Sequence, residues 1–260
     1  MDILEKLYKN NNNIKNGKLM ELYKQFYLIK CELMILRIDW LWTLLIVLIT
    51  PLTLLLLLYY ITGDSSQSSR YYLLTGNMVM SLTTGTMLTL GQELGILKQV
   101  RGFDYYITLK VRKIQLIFAY IVRTTILTLP SMFVIFIVGK YFLDIPINIH
   151  LSLILVVLFS GLSLSAIGGF IGLYARDASQ ASIITQVIQP IFVFCAPVFI
   201  PVSKMPNFMF YISRFIPTTY VASALRDSCK GIYDIRSILI LFMLSLISII
   251  LIETKMDWRS

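Results

Sequence analysis

Charged residues are scarce in this chain, at 14% of its 260 residues, whereas soluble proteins average about 25%. Apolar residues make up 57% of the sequence, and the mean hydropathy is +0.76. This balance excludes a water-soluble globular domain, which needs a charged surface, and it excludes intrinsic disorder. The sequence therefore predicts a polypeptide that lies mostly within a membrane.

Residues that perform common catalytic chemistry are also few. His150 is the single histidine, so histidine-based metal sites and catalytic triads lack a second imidazole or a matching partner. The three cysteines, Cys31, Cys195 and Cys229, have unrelated spacings, which exclude a disulfide framework and a CxxC cluster.

Motifs that bind nucleotide or activate a substrate are missing as well. Gly17-Lys18 and Gly139-Lys140 lack the upstream Gly and the following Ser or Thr of a phosphate-binding loop. HExxH and GxSxG do not occur. Asp and Glu stay outside the charge-free windows, which argues against a proton- or sodium-driven transporter. We therefore expect no catalytic residue, no metal site and no cofactor in this chain.

Six windows predict membrane-spanning helices, because about 20 residues at about 1.5 Å rise cross about 30 Å of hydrocarbon. Five windows are free of charge, and four of these are long enough to cross; the fifth, Ser237 to Ile252, has only 16 residues. The remaining window contains Arg123. The predicted fold is an all-α polytopic membrane protein with a cytoplasmic segment 1–38, a six-helix transmembrane domain 39–254 and a tail 255–260. The predicted spans are 40–61, 71–92, 114–139, 150–174, 179–202 and 235–253.

Arg123 lies about ten residues into its predicted span, where an arginine costs about 2.5 to 3.5 kcal/mol on insertion scales. The favoured interpretation is that its long side chain extends toward the basic residues Lys110, Arg112 and Lys113 at the cytoplasmic mouth. A buried ion pair and a pore-lining charge are the alternatives.

The distribution of positive charge predicts the orientation. Of the 23 Lys and Arg residues, 15 lie in the segments that are cytoplasmic if both termini are inside, and seven lie in the outer segments. This bias places both termini in the cytoplasm. No cleavable signal peptide is visible in the polar first 40 residues. Topology and anionic lipid headgroups explain the net charge of +9, and no motif points to nucleic acid.

Three segments outside the spans have distinctive patterns. From Lys18 to Arg37, apolar residues recur every three or four positions, which predicts an amphipathic helix that either anchors at the inner interface or docks on a partner. The stretch from Glu93 to Lys113 predicts a short helix pressed against a soluble partner with an apolar groove, or else a loop on headgroups. The proline-broken stretch from Pro201 to Asp234 predicts a re-entrant or half-inserted outer hairpin.

Small and polar residues within the spans indicate packing and a possible path. Close helix packing is predicted at Gly161, Ser165 and Gly169, which recur every four residues. Uncharged polar side chains either line a path or hydrogen-bond between helices; they are Asn77, Thr84, Gln186 and Gln189.

The stretch from Ala196 to Gly231 resembles the C-terminal signature of type-2 ATP-binding-cassette (ABC) exporter permeases. The matching residues are Pro201, Met205-Pro206, Ile216-Pro217-Thr218-Thr219-Tyr220, Ala224-Leu225-Arg226 and Gly231. Glu93 to Leu97 looks like the Glu-x-Gly-x-Leu entry to the coupling helix of that family. Cys195-Ala196 departs from a frequent Ser-Gly, and no Pro stands at Asp104 or Tyr105; these departures concern subfamily and cargo rather than fold.

The resemblance implies a permease worked by separate ABC ATPase subunits, which bind the ATP and Mg²⁺, and paired as a homodimer or with a related permease. It implies export through a prokaryotic cell membrane, and we expect an amphipathic drug, peptide or lipid-like cargo. The implied ATPase-coupling residues are Glu93, Gly95, Lys98, Arg101, Phe103 and Tyr105. The implied outer re-entrant segment contains Pro201, Pro206, Pro217, Tyr220, Arg226 and Gly231.

Two alternatives remain open. A polysaccharide or glycoconjugate exporter would share the fold, and a membrane immunity or sensor protein would need no ATPase. Co-purification with a soluble chain that carries a Walker motif distinguishes an exporter from the second alternative.

Overall fold

The computed structural model describes residues 15–62, 66–109, 111–145, 151–232 and 235–255. The architecture is all-helical in these ranges, as the sequence predicts. Ten α-helices follow one another in the described residues: α1 (Lys15–Thr62), α2 (Gln67–Leu82), α3 (Thr89–Gln99), α4 (Gly102–Thr108), α5 (Lys113–Leu143), α6 (Leu151–Tyr174), α7 (Ala178–Phe194), α8 (Asn207–Ser213), α9 (Pro217–Cys229) and α10 (Ile235–Lys255). A π-helical turn, Thr83–Leu88, joins α2 to α3, and a 3₁₀ turn, Val202–Lys204, precedes α8.

Three helical stretches within the described residues are long and apolar enough to cross a membrane: Leu41–Ile61 in α1, Lys113–Leu143 as α5, and Ser152–Tyr174 in α6. Two shorter apolar helices are Ala178–Phe194 and Ile235–Ile247. With 31 residues, α5 extends about 46 Å at 1.5 Å per residue, which exceeds the hydrocarbon thickness of about 30 Å. At least one end of α5 must therefore lie outside the hydrocarbon.

Two boundaries differ from the sequence-based expectation. We expected an interface helix from Lys18 to Arg37 and a separate first span, whereas α1 continues through both. We also expected a span over 179–202, but α7 ends at Phe194. Pro197 and Pro201 follow closely, and a residue before proline is driven out of the helical region, so the chain leaves the helix there.

The core consists of two apolar clusters, one above the other along the bundle. The larger one joins α2, α5, α6, α9 and α10 through side chains such as Leu74, Ile135 and Leu225. The smaller one joins α3, α5 and α6 through Leu94, Leu116 and other buried residues, and α4 packs against it. The α4 end and the α9 end of the molecule are thus built around separate cores.

The turn that ends α9 is defined by backbone hydrogen bonds. Gly231 has φ 79°, which a glycine adopts without a Cβ penalty. The Ile232 N–H donates to the Asp227 carbonyl at 2.8 Å, and the Gly231 N–H donates to the Ser228 carbonyl at 3.1 Å. This is the Schellman pattern of a helix C-terminus, and it satisfies the last carbonyls of α9.

Candidate functional site

A buried cluster of charged side chains joins three helices near the α4 end of the bundle. Arg123 of α5 lies between Glu32 of α1 and Glu93 of α3. Its Nη1 is 2.8 Å from Glu32 Oε2, and its Nη2 contacts Glu93 Oε2. Arg123 is 7% exposed and Glu32 is 1% exposed. The cluster therefore fixes α1, α3 and α5 to one another through a shared guanidinium.

The cluster changes the interpretation of Arg123. The favoured expectation was a side chain that extends toward Lys110, Arg112 and Lys113; instead, the guanidinium pairs with two carboxylates inside the protein. A buried charge costs several kcal/mol unless it is paired and hydrogen-bonded, so the carboxylates account for an arginine at this position.

Tyr106 connects α4 to the cluster. Its hydroxyl donates to Glu32 Oε1 at 3.2 Å. Burial and the charge of Glu32 raise the pKa of Tyr106 to about 12, so the phenol stays a neutral donor at physiological pH. Burial raises the pKa of Glu32, while Arg123 and Tyr106 act in the opposite direction. The short helix α4 is thus hydrogen-bonded to the residue that pairs with Arg123.

The first part of α1 also docks on the start of α5. Gln115 Nε2 donates to Glu21 Oε2 at 2.9 Å, and Gln25 Nε2 donates to the Gln115 carbonyl at 3.2 Å. Arg112 Nε is 3.4 Å from the same Glu21 oxygen. The sequence left open whether this segment anchors or docks; these contacts show that it docks on its own chain.

Residues predicted to couple to an ATPase fall into two groups, of which the first faces inward. Glu93 pairs with Arg123, and a Cβ on Gly95 would lie 2.5 Å from the Ala181 Cβ. Lys98 Nζ donates to the carbonyls of Leu173 and Ala175 at 3.2 and 3.0 Å. A lysine there satisfies the last carbonyls of α6 and complements the helix dipole.

The second group lies on or beside α4. Arg101 precedes α4 with a left-handed φ of 53°, and its side chain is exposed. Tyr105 is also exposed, whereas Phe103 is partly buried against the smaller core. Their contact with an ATPase stays a prediction. Arg101 and Tyr105 lie on the exposed side of this segment.

A second polar feature, which we call the amide seam, lies between α7 on one side and α3 with the π turn on the other. Gln189 Nε2 reaches the hydroxyls of Thr83 and Thr84 at 3.4 and 3.3 Å. The amides of Gln92 and Gln186 donate to the Ser182 hydroxyl at 3.1 and 2.8 Å. Gln186 is exposed at the protein surface. The seam thus holds helices together and also presents amide groups outward.

The other predicted path residues are less accessible. Asn77 is fully buried; its Nδ2 donates to the Leu73 carbonyl at 2.7 Å, and its Oδ1 accepts no hydrogen bond in the described structure. Thr84 is 6% exposed and donates to the Met80 carbonyl at 2.8 Å. Gln186 and Gln189 therefore remain the predicted path residues that lie closest to the surface.

Arg226, in the predicted outer segment, contacts the chain just before that segment and an aromatic ring of α2. Its Nη2 donates to the carbonyls of Pro197 and Val198 at 3.2 and 3.3 Å, and its guanidinium lies 3.6 Å from the Tyr72 ring centre. Tyr220 donates to the Arg214 carbonyl at 3.0 Å. Pro201 and Pro206 precede the 3₁₀ turn and α8, and Pro217 begins α9.

The small residues of α6 contact two neighbours. Gly161 faces Thr125 of α5, and the Ser165 hydroxyl is 3.3 Å from that of Thr124. Gly169 is buried. One position away, a Cβ on Gly168 would lie 2.0 Å from the Met87 carbonyl oxygen, and one on Gly172 would lie 2.5 Å from that of Gly91. Glycine lets the backbones of α3 and α6 approach this closely.

Sequence reasoning missed several of these residues. Glu32 falls within the amphipathic helix predicted from Lys18 to Arg37, and Gln92 and Ser182 lie within or beside predicted spans, but the sequence pattern does not single out any of the three. One signal did exist: a mid-span arginine requires an acidic partner, and Glu32 and Glu93 stand near the inner ends of two other predicted spans.

A family model described as ABC-2 type transporter matches residues 25–229. Comparison with curated proteins and with solved structures gives no match. The matched range includes all three members of the charge cluster, α4 and the amide seam.

Proposed function

Because the chain belongs to the ABC-2 type transporter family, it is the membrane component of a transporter rather than an enzyme, and we propose that it is the permease of an ATP-driven exporter. In this proposal two permeases form the translocation path, and separate ATPase subunits bind at the α4 end. The chain spans a prokaryotic cell membrane six times, with both termini in the cytoplasm.

The helical run from Gln67 to Gln99 supports six crossings. Its α2, π and α3 parts follow one another without a break over 33 residues, which corresponds to about 50 Å at 1.5 Å per residue. That length exceeds the hydrocarbon core. In the proposal, this run is the sixth crossing beside Leu41–Ile61, α5, α6, α7 and α10, and α4 lies on the cytoplasmic side.

The observation that carries the proposal is the two-sided character of α4. Its inner side is held by Phe103 and by the Tyr106–Glu32 hydrogen bond. Its outer side presents Tyr105 and Ile107, which are 63% and 42% exposed, beside Val100. An exposed apolar patch on a helix that is anchored to the spans suits a protein partner that pushes on it.

The amide seam supports a path at the interface of two permeases. Polar groups that face lipid are costly. The exposed amide of Gln186 donates to the Ser182 hydroxyl within α7, and its remaining donor and acceptor capacity favours a polar partner or water over lipid. Ile183 and Val187 lie beside it and are 61% and 55% exposed. A surface that alternates amides with aliphatic side chains favours an amphipathic drug, peptide or lipid-like cargo.

The test compares two surface variants of the tagged permease. We expect Tyr105→Ser with Ile107→Ser to lower the ATPase activity that co-purifies with the permease at least tenfold, because each lost apolar contact is worth about 1.4 kcal/mol or more. Tyr141→Ser is the matched control, since Tyr141 is 76% exposed at the far end of α5. ATP-driven export from vesicles should fall in parallel.

Two results would contradict the proposal. One is a wild-type permease that carries no ATPase activity from native membranes. The other is a permease that moves solute when reconstituted alone, without any second protein.

A further inference from the structure

The formal charges of the buried cluster do not balance. Two carboxylates, Glu32 and Glu93, face one guanidinium, Arg123. Among the residues that the structure describes, the other titratable groups that face the cluster are the neutral phenols Tyr106 of α4 and Tyr120 of α5. The neighbouring part of α6 contributes apolar side chains to the adjoining core. A fully ionised cluster would therefore hold an uncompensated negative charge at a largely buried site, which is unfavourable.

The two carboxyl groups have different surroundings. Glu32 is 1% exposed, and each of its oxygens accepts a hydrogen bond, one from Arg123 and one from Tyr106. Such bonds stabilise the ionised form. Glu93 contacts Arg123 through Oε2, which is buried, while its side chain as a whole is 28% exposed. Glu93 thus has the weaker support for a negative charge and a route for proton exchange with solvent.

We propose that Glu93 is a proton-binding site. At neutral pH, Glu93 is a carboxylic acid that accepts from Arg123 at Oε2 and carries the proton on Oε1, while Glu32 is ionised. The cluster is then neutral. When the proton leaves to water, Glu93 becomes a carboxylate and competes with Glu32 for the guanidinium. Because Glu32 also accepts the hydrogen bond from Tyr106, the protonation state of Glu93 affects the contact that attaches α4 to the spans.

The sign of the pH effect follows from linkage. An ordinary glutamate in the unfolded chain loses its proton near pH 4.3, so the folded chain binds one proton more over the range in which Glu93 stays protonated. Stability must then fall as pH rises through that range. Glu93→Gln reproduces the shape and neutrality of the protonated group, and it should abolish this contribution.

The experiment uses the purified permease in lipid vesicles and measures two quantities from pH 5 to pH 9. Infrared difference spectroscopy follows the carbonyl stretch of a protonated carboxyl group. We expect wild type to show such a band at pH 7 that disappears at higher pH, and Glu93→Gln to lack it. Thermal melting should show Glu93→Gln closest to wild type at pH 5, more stable than wild type at pH 7 and less sensitive to rising pH, whereas Glu32→Gln melts earlier.

Glu21→Gln is the matched control, because Glu21 is a partly exposed carboxylate paired with Arg112, the residue that precedes α5; it should change neither the band nor the pH dependence. Absence of a titrating carboxyl band in the wild type overturns the proposal even if a variant fails to fold. So does a band that persists in Glu93→Gln. The permease alone is measured, so the outcome does not depend on export or on an ATPase.

Discussion

Replacing Gly168 with Ala tests the close approach of α6 to the π turn that precedes α3. The added Cβ would lie 2.0 Å from the Met87 carbonyl oxygen and 2.7 Å from its carbon. These are backbone atoms of the π turn, which cannot rotate away without moving the helix. Overpacking costs about 1 to 3 kcal/mol, and a backbone collision belongs at the upper end. After a gain of about 1 kcal/mol in helix propensity, the net loss is about 2 kcal/mol.

Gly139→Ala is the matched control within α5. Its Cβ would meet the Leu74 Cδ1 at 2.1 Å, but the next atom, Cγ, is 3.2 Å away, and a side-chain end can turn aside. We expect a net change near zero. For a chain of about this size, 1 kcal/mol corresponds to about 2 to 4 °C, so Gly168→Ala should lower the melting temperature by about 4 to 8 °C. Equal melting temperatures for the two variants would refute the packing argument.

Two further substitutions test the charged contacts. Arg123→Met leaves two carboxyl groups without their cation and should cost about 3 to 5 kcal/mol of folding free energy. The loss should appear as a lower yield of folded protein in detergent. Adding Glu32→Gln and Glu93→Gln should restore part of the yield, and no restoration would contradict the ion-pair assignment. Arg226→Lys keeps the charge but loses the flat guanidinium over Tyr72, so about 1 to 2 kcal/mol should be lost. Faster proteolysis between Pro197 and Gly231 would report it, and Lys230→Arg, in which the cation over Tyr71 is kept, is the control.

The helices could be predicted from the sequence because their cause is local. A charge-free window such as Ile145 to Ala175 satisfies the length and hydropathy of a span by itself, and α6 occupies Leu151–Tyr174. The ends were less predictable. A helix does not stop where the hydrocarbon stops, so α3 continues past the predicted end at residue 92 to Gln99.

The partners of charged residues could not be predicted, because they depend on which helices become neighbours. The basic residues beside α5 made an extended Arg123 the natural interpretation, yet α1 and α3 bring two carboxylates closer. From the sequence, Lys98 is likewise expected to be an exposed cation, but its ammonium group donates to two backbone carbonyls at the end of α6. The distances in sequence are 91 residues for Arg123 and Glu32 and 75 for Lys98 and Leu173, far beyond any local pattern.

The contacts of α3 explain how a push on α4 would reach the other helices at the same end of the bundle. Lys98, near the end of α3, donates to the end of α6. Glu93 pairs α3 with Arg123 of α5. Gly91 of α3 lies against the backbone of α6. Val100 and Arg101 alone separate α3 from α4. If a partner displaces α4 as proposed, these contacts would move three helices together at that end, whereas the other core, around α9, is separated from α3 by the π turn. The proposal therefore predicts that a change in the shape of the bundle falls between these two units.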